Sequence, residues 1–135
     1  MEEKHIETPA DAVMAVAVLA VQSDGQIQEA ELDRLAALAN INPLFEAVAD
    51  KRAYVQGIVA LVGGQPPETV LSKAYRMLPS HLRESAYAWA AELVETDDKV
   101  TDAERAFMEK LRRALDISEP FKKQVSSMMA ILKRR

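Results

Sequence analysis

A short acidic segment occurs twice in the chain, and this repeat constrains the fold more than any other feature. The two copies, residues 24–31 and 97–104, lie 73 residues apart, with acidic and aliphatic residues at matching positions. Each copy follows an alanine-rich apolar run and precedes an amphipathic run, as expected for a helix, an acidic turn and a second helix. The repeat therefore predicts two similar helix–turn–helix halves.

The remaining sequence also favours helices. Only 4 of the 135 residues are glycine, and the alternation of a β-strand is absent. We predict an all-α fold, a compact helical bundle of about seven to eight helices with two pseudo-symmetric helix–turn–helix halves. One domain is expected over residues 1–135. Its halves span about 9–39 and 80–116, with middle helices at 43–78 and a last helix at 118–133.

Capping residues place several helix boundaries. Thr8 is the expected N-cap of the first helix, and Pro9 suits its first position. This helix runs to about Gln22 and is almost entirely apolar, so we expect it to be central. Later helices are predicted to begin at four polar residues: Asp50, Ser80, Thr101 and Ser118.

Small residues predict which helices pair. Residues 15–20 and 86–91 are both rich in alanine, which allows two helix backbones to approach closely. We therefore expect these two helices to pack together, with Trp89 as a core residue between them. The last helix carries an apolar stripe formed by Phe121, Val125, Met128 and Leu132.

The charge is distributed unevenly along the chain. Residues 1–104 carry 8 Lys and Arg against 18 Asp and Glu, whereas residues 105–135 carry 9 against 3. A basic section can attract nucleic acid, anionic lipid or an acidic partner. Its cations also lie late in two predicted helices, where they complement the helix dipole. With aromatic residues at 5%, no nucleic-acid partner is expected.

The composition also bears on compartment and chemistry. The chain has no cysteine, which excludes disulfides and thiolate metal sites and suits a reducing compartment. The polar, acidic N-terminal residues do not resemble a signal peptide, and the longest apolar run, residues 12–21, is too short for a transmembrane segment. We therefore expect a cytoplasmic protein. His5 and His81 have no partner at metal-ligand spacing, and we predict no enzymatic activity.

The repeated turn partly matches the second half of an EF-hand loop, but the match fails at its start. The first and third ligand positions would be Ala20 and Gln22 in one copy and Leu93 and Glu95 in the other. Alanine and leucine cannot coordinate calcium, so the turn is not an EF-hand.

Two interpretations of the acidic turn remain. In the first, the acidic residues end one helix and begin the next, as in a capping box formed by Thr101 and Glu104. In the second, they bind a divalent cation, because carboxylates this dense repel one another unless solvent or a cation separates them. The candidate metal ligands are Asp24, Glu31, Asp97, Asp98 and Glu104.

The repeat also carries a resemblance to a known family. Residues 15–20 followed by Asp24-Gly25-x-Ile27-x-x-x-Glu31, and residues 88–91 followed by Asp97-x-x-Val100-x-x-x-Glu104, resemble the tellurite-resistance TerB family. This group includes the N-terminal domain of the DjlA-type co-chaperones. The chain departs from the family pattern at Asp98, where the turn glycine is expected.

The resemblance implies a compact helical module connected with tellurite resistance and other stresses. It implies a protein partner, peripheral association with membrane complexes, and a divalent cation (calcium, magnesium or manganese) held by the acidic residues. The alternative is a purely structural helical adaptor, or a co-chaperone-type protein-binding domain, without a metal. The sequence does not specify the partner or the oligomeric state.

Overall fold

The described part of the chain is entirely helical. The computed structural model describes residues 5–23, 27–94 and 101–132, which contain seven α-helices, one short 3-10 helix and no strand. The α-helices are α1 (Pro9–Gln22), α2 (Glu29–Ile41), α3 (Lys51–Gly63), α4 (Pro67–Met77), α5 (Ser80–Val94), α6 (Asp102–Ala114) and α7 (Glu119–Leu132). The 3-10 helix is Pro43–Phe45. The predicted all-α bundle is therefore confirmed.

Helix α1 lies at the centre, as its composition predicted. The Thr8 hydroxyl accepts a hydrogen bond from the Asp11 amide at 3.1 Å, and Pro9 follows in the first turn. Every residue from position 11 to position 21 is buried. A helix that is apolar on all sides can remain dry only when other helices surround it. Here α2, α3, α4, α5 and α6 all contact α1.

The pairing of α1 with α5 is also confirmed. No other pair of elements among the described residues is in such extensive contact. The residues that α5 buries include Ala86, Ala90 and Ala91, and Ala15 and Ala17 of α1 are buried as well. Because these side chains end at Cβ, the two helix backbones can lie close together. The α1–α5 pair therefore forms the centre of the hydrophobic core.

The middle of the chain differs from expectation in its details. The middle helices were expected over residues 43–78, but the first of them is only the short 3-10 helix Pro43–Phe45. Asn42 Oδ1 caps it by accepting from the Leu44 amide at 3.0 Å. Asp50 caps α3 as predicted, through the Ala53 amide at 3.0 Å. Ser80 does not cap α5: it is the first residue of that helix, and the carbonyl of Pro79 accepts from the Arg83 amide. Helix boundaries set by local sequence commonly shift in this way.

The apolar stripe predicted on α7 is buried only in its first part. Ser118 caps the helix through the Phe121 amide at 3.2 Å, as expected. Phe121 then packs against the core, and Val125 is buried. Farther along, the buried residue is Met129, whereas Met128 and Leu132 are exposed. Because α7 packs mainly on α5, the neighbouring helix covers the first part of the stripe and leaves its end uncovered.

Trp89 is also less buried than predicted. The indole packs against the core but is partly exposed, while its neighbour Ala90 is fully buried. Trp89 is therefore not the fully enclosed core residue that was predicted. Its replacement should therefore cost less than removal of a fully buried aromatic residue.

In the described residues, no helix is both long and apolar enough to cross a membrane. Buried residues from all seven α-helices form one hydrophobic cluster, which fits the predicted bundle.

Candidate functional site

The two glutamates of the repeated turn occupy equivalent positions. Glu31 is the third residue of α2, and its Oε1 accepts a hydrogen bond from the Gln28 amide at 2.7 Å. Glu104 is the third residue of α6, and its Oε1 accepts from the Thr101 amide at 2.9 Å. In both cases the carboxylate folds back to the residue that precedes its helix. The capping interpretation is thus correct for both glutamates.

Each cap uses one oxygen of its carboxylate. Within the described parts of the chain, Oε2 of Glu31 and Oε2 of Glu104 make no hydrogen bond or ion pair. A carboxylate held by one oxygen in this way is fixed in orientation and can still offer the other oxygen to a ligand. Capping and cation binding are therefore compatible at these two residues.

The capping box at α6 should contribute measurably to stability. Thr101 Oγ1 accepts from the Glu104 amide at 3.1 Å, which completes the reciprocal pair. We expect Thr101→Ala to lower the free energy of unfolding by about 1 kcal/mol, because one amide of the first turn loses its acceptor. Urea unfolding monitored by circular dichroism measures the change. Thr69→Ala, at an exposed position in α4, is the matched control and should change stability far less.

The remaining predicted ligands, Asp24, Asp97 and Asp98, lie outside the described residues. Among the residues that are described, no group of three Asp, Glu, His or Cys side chains is arranged to hold a metal ion. The described residues therefore supply the flanks of the two turns, and Glu31 and Glu104 are the candidate ligands whose geometry is known.

The flanks of the two turns lie close together. Ser23, at the end of α1, and Ala103, at the start of α6, line the same surface groove. On another side, an Arg34 Nη2 atom of α2 donates to the carbonyl of Leu93, near the end of α5, at 3.4 Å. The groove places the start of the first turn and the end of the second on one surface. The hydrogen bond joins the helix after the first turn to the helix before the second.

The groove beside the turns is small and largely apolar. It has a volume of 290 Å³, and its lining residues are Leu19, Gln22, Ser23, Pro67, Ala103, Ala106, Phe107 and Lys110. Lys110 pairs with Glu68 of α4 at 2.9 Å, so the cation at the rim is already neutralised. The hydrogen bond from Lys110 lowers the pKa of Glu68, which keeps the pair charged. The groove can hold one or two apolar side chains of a partner.

A second groove lies along α3. It has a volume of 550 Å³ and is lined by His5, Gly57, Ala60, Leu61, Gly64, Gln65 and Lys73. Lys73 donates to the side-chain oxygen of Gln65 at 2.8 Å. His5 and His81 are both exposed.

Sequence reasoning missed one buried polar pair. Asp11 in α1 is only 5% exposed, and its Oδ1 accepts from the Tyr54 hydroxyl of α3 at 2.7 Å. Its Oδ2 accepts from the Glu7 amide at 3.0 Å. Burial, together with the hydrogen bond to Asp11, raises the pKa of the Tyr54 phenol, so Tyr54 acts as a donor at neutral pH. The pair fastens α3 to the start of α1.

Several basic residues of the last two helices take part in an ion-pair network. Arg112 Nη2 contacts Glu109 at 2.7 Å and Glu119 at 3.3 Å, and it thereby links α6 to α7. Arg113 and Lys122 also lie within 4 Å of Glu109, at 3.2 and 3.8 Å. The hydrogen bond from Arg112 lowers the pKa of Glu109 from 4.5 to about 2, against the opposing effect of desolvation. The basic residues of this network therefore form ion pairs within and between α6 and α7, in addition to complementing the helix dipoles as expected.

The network predicts a specific pH dependence. A carboxyl group whose pKa is lower in the folded state than in the unfolded state stabilises the fold at pH values above its unfolded-state pKa. For Glu109 this stabilisation disappears as the pH falls towards its folded-state pKa of about 2. We expect Glu109→Gln to lower the melting temperature relative to wild type at pH 6, with the difference shrinking to near zero at pH 2. Calorimetric melts across this range test it, with the exposed Glu84→Gln as control. A difference that stays constant with pH would contradict the role of Glu109.

Comparison with protein-family models, with curated proteins and with solved structures finds no match to this chain. The fold and the local geometry define a helical domain with a buried central helix and two helices, α2 and α6, whose first turns are capped by Glu31 and Glu104.

Proposed function

We propose that this chain is a TerB-like helical interaction module whose two acidic turns together bind a divalent cation. One observation carries the proposal: the residues flanking the two turns lie near each other, since Ser23 and Ala103 line one groove and Arg34 donates a hydrogen bond to the Leu93 carbonyl. Carboxylates from both copies would then contribute to one acidic surface. The equivalent positions of Glu31 and Glu104 support the resemblance on which the proposal rests.

The proposal assigns roles from the chemistry of hard cations. Calcium, magnesium and manganese prefer several oxygen ligands, and affinity rises with the number of charged ligands. Glu31 and Glu104 would each offer the oxygen that their cap leaves open. Asp24, Asp97 and Asp98 would supply the other carboxylates, with the second turn contributing more charge. In this proposal the module recruits a protein partner in stressed cells and catalyses no reaction.

A second candidate is a structural adaptor without a metal. The specific observation in its favour is that helix capping already explains why Glu31 and Glu104 occupy their positions. In this case the acidic turns would remain solvated or meet a basic partner.

Thermal melting with added calcium, manganese or magnesium distinguishes the two candidates. A cation that binds only the folded protein raises its stability by about 2.7 kcal/mol at a hundredfold excess over the dissociation constant. We expect such a rise for wild type and its loss in the double variant Asp97→Asn, Glu104→Gln. The control Glu46→Gln alters an exposed carboxylate away from the turns and should keep the rise. No rise in wild type at millimolar concentrations of any of the three ions would favour the metal-free adaptor.

A further inference from the structure

The groove of 550 Å³ along α3 has no role in the function proposed above. Helices α3 and α4 both pack on α1, and they contact each other far less. Space therefore remains between them at the surface, and His5, which precedes α1, borders it as well. We refer to this space as the α3–α4 groove. Its volume lies within the range of about 300–1,000 Å³ that is typical of small-molecule sites.

Small residues keep the α3–α4 groove open. Gly57 and Ala60 of α3, and Gly64 just after the helix, line the groove and have no long side chain to fill it. A Cβ atom added at Gly64 would meet only backbone oxygens, at 3.7 Å, so the main chain is not crowded there. The buried Leu61 adds an apolar side chain to the same lining. A flat apolar group can therefore lie close to the backbone of α3.

The polar residues of the groove include a lysine without a carboxylate partner. Lys73 of α4 donates to the side-chain oxygen of Gln65 at 2.8 Å, and within the described chain it makes no ion pair. Gln65 in turn donates to the carbonyl of Leu61 at 3.2 Å, which fixes the orientation of its amide. The other N–H groups of the Lys73 ammonium remain available to a ligand. His5 adds a second nitrogen-bearing side chain to the groove.

Acidic residues are absent from the segment that contributes most of the lining. Residues 51–67 include no Asp or Glu, although the whole chain has 21 of them and a net charge of −4. The next acidic residue, Glu68, is already paired with Lys110 at 2.9 Å. None of the described residues that line the α3–α4 groove is acidic. The groove is therefore a local site for an anion on a protein whose net charge is negative.

We propose that the α3–α4 groove binds a small aromatic carboxylate, whose ring lies on the small residues of α3 and whose carboxylate pairs with Lys73. An ammonium group donates a charge-assisted hydrogen bond to a carboxylate, which is stronger than a bond between neutral groups. One lysine matches one negative charge, so a carboxylate suits the site better than a doubly charged phosphate ester. The inference does not depend on the cation proposal, because it concerns different residues and a ligand of opposite charge.

Other occupants suit the α3–α4 groove less well. A divalent cation requires several oxygen ligands, and the described lining offers no carboxylate. A neutral ring would leave the charge of Lys73 without a partner. A helix of another protein could pack on small residues of α3, but residues from before α1 and from α4 also border the groove, so it is not an open helix face.

Binding of 1-naphthoate, followed by nitrogen–proton NMR, tests the proposal. The amides of Ala60 and Gly64 should shift along one saturable curve, with a dissociation constant of about 1 mM or lower. The amide of Ala130, exposed on α7, should stay in place. The neutral analogue 1-naphthalenemethanol should bind roughly tenfold more weakly, because it cannot pair with Lys73.

Three results of this titration would overturn the proposal. The first is the absence of a saturable shift with 1-naphthoate. The second is equal binding of 1-naphthoate and the neutral alcohol, since the charge would then play no part. The third is tighter binding of 1-naphthyl phosphate than of 1-naphthoate, which would contradict the choice of a carboxylate.

Two variants test the location of the ligand. Ala60→Leu should fill the groove and weaken binding by about tenfold or more, without lowering the melting temperature, because Ala60 is exposed and both residues favour helices. Its matched control is Ala53→Leu, at an exposed position of α3 outside the groove. Lys73→Gln should weaken binding roughly tenfold, whereas Lys123→Gln on α7 should leave it unchanged. Wild-type affinity in either Ala60→Leu or Lys73→Gln would show that the ligand does not occupy the α3–α4 groove as proposed.

Discussion

Replacing Val16 with aspartate is expected to prevent folding. Val16 is fully buried in α1, and the helices around it leave no path for a carboxylate to reach water. An unpaired buried charge costs several kcal/mol, and an isolated substitution of this kind provides no compensating partner. The loss is comparable to the whole stability of a typical domain, about 5–15 kcal/mol.

Circular dichroism and gel filtration measure the outcome for Val16→Asp. We expect loss of the cooperative melt, with the variant aggregated or unfolded at 25 °C. Ala37→Asp is the matched control, because Ala37 is exposed on α2 and its replacement should cost about 1 kcal/mol or less. A cooperative melt for Val16→Asp close to that of wild type would show that α1 is not the central helix.

Phe45→Ala should produce the second largest effect. Phe45 is fully buried at the end of the 3-10 helix, and its ring lies 5.9 Å from the ring of Tyr54 on α3. Removing a buried phenylalanine side chain costs about 3–5 kcal/mol through lost burial and an unfilled cavity. For a chain of this size the melting temperature should fall by roughly 10 °C or more.

The comparison with Phe121→Ala makes this prediction specific. Phe121 is only partly buried on α7, so the same chemical change there should cost clearly less. Phe45→Leu should recover most of the loss at position 45 because it fills much of the space. If Phe45→Ala and Phe121→Ala had equal effects on the free energy of unfolding, the burial assigned to Phe45 would be wrong.

Local signals predicted much of the fold because capping and periodicity act within a few residues. Thr8, Asp50, Thr101 and Ser118 cap helices as expected, since each hydroxyl or carboxylate reaches an amide only three residues away. The central position of α1 also followed from sequence, because no other place in a bundle suits a helix that is apolar on every side.

Features that depend on distant contacts were not predictable. Nothing in the local sequence marks Asp11 as buried, and only the fold brings Tyr54 of α3 to it. The end of α7 looked like a continuation of the apolar stripe, because sequence periodicity does not reveal where a neighbouring helix ends. Trp89 was predicted to lie in the core but is partly exposed, because the apolar composition of α5 does not reveal which of its faces other helices cover.

The candidate site was likewise predictable where its features depend on local sequence, and unpredictable where they depend on distant contacts. The capping box of Thr101 and Glu104 followed from local spacing, whereas for Glu31 the sequence indicated only a position equivalent to Glu104 in the repeat. The hydrogen bond from Arg34 to the Leu93 carbonyl joins segments 59 residues apart. Equal spacing in sequence indicated similar turns, but only the fold brings their flanks near each other.

A calcium titration followed by nitrogen–proton NMR tests the central proposal most directly. The amides of Gln28 and Thr101 donate to Glu31 and Glu104, so their chemical shifts report on the two carboxylates. We predict that both amides shift with calcium along one saturable curve, whereas the amide of Ala53, which is bonded to Asp50, stays in place. Unchanged shifts at Gln28 and Thr101 at millimolar calcium, magnesium and manganese would contradict the proposed cation site and leave the two turns as helix caps.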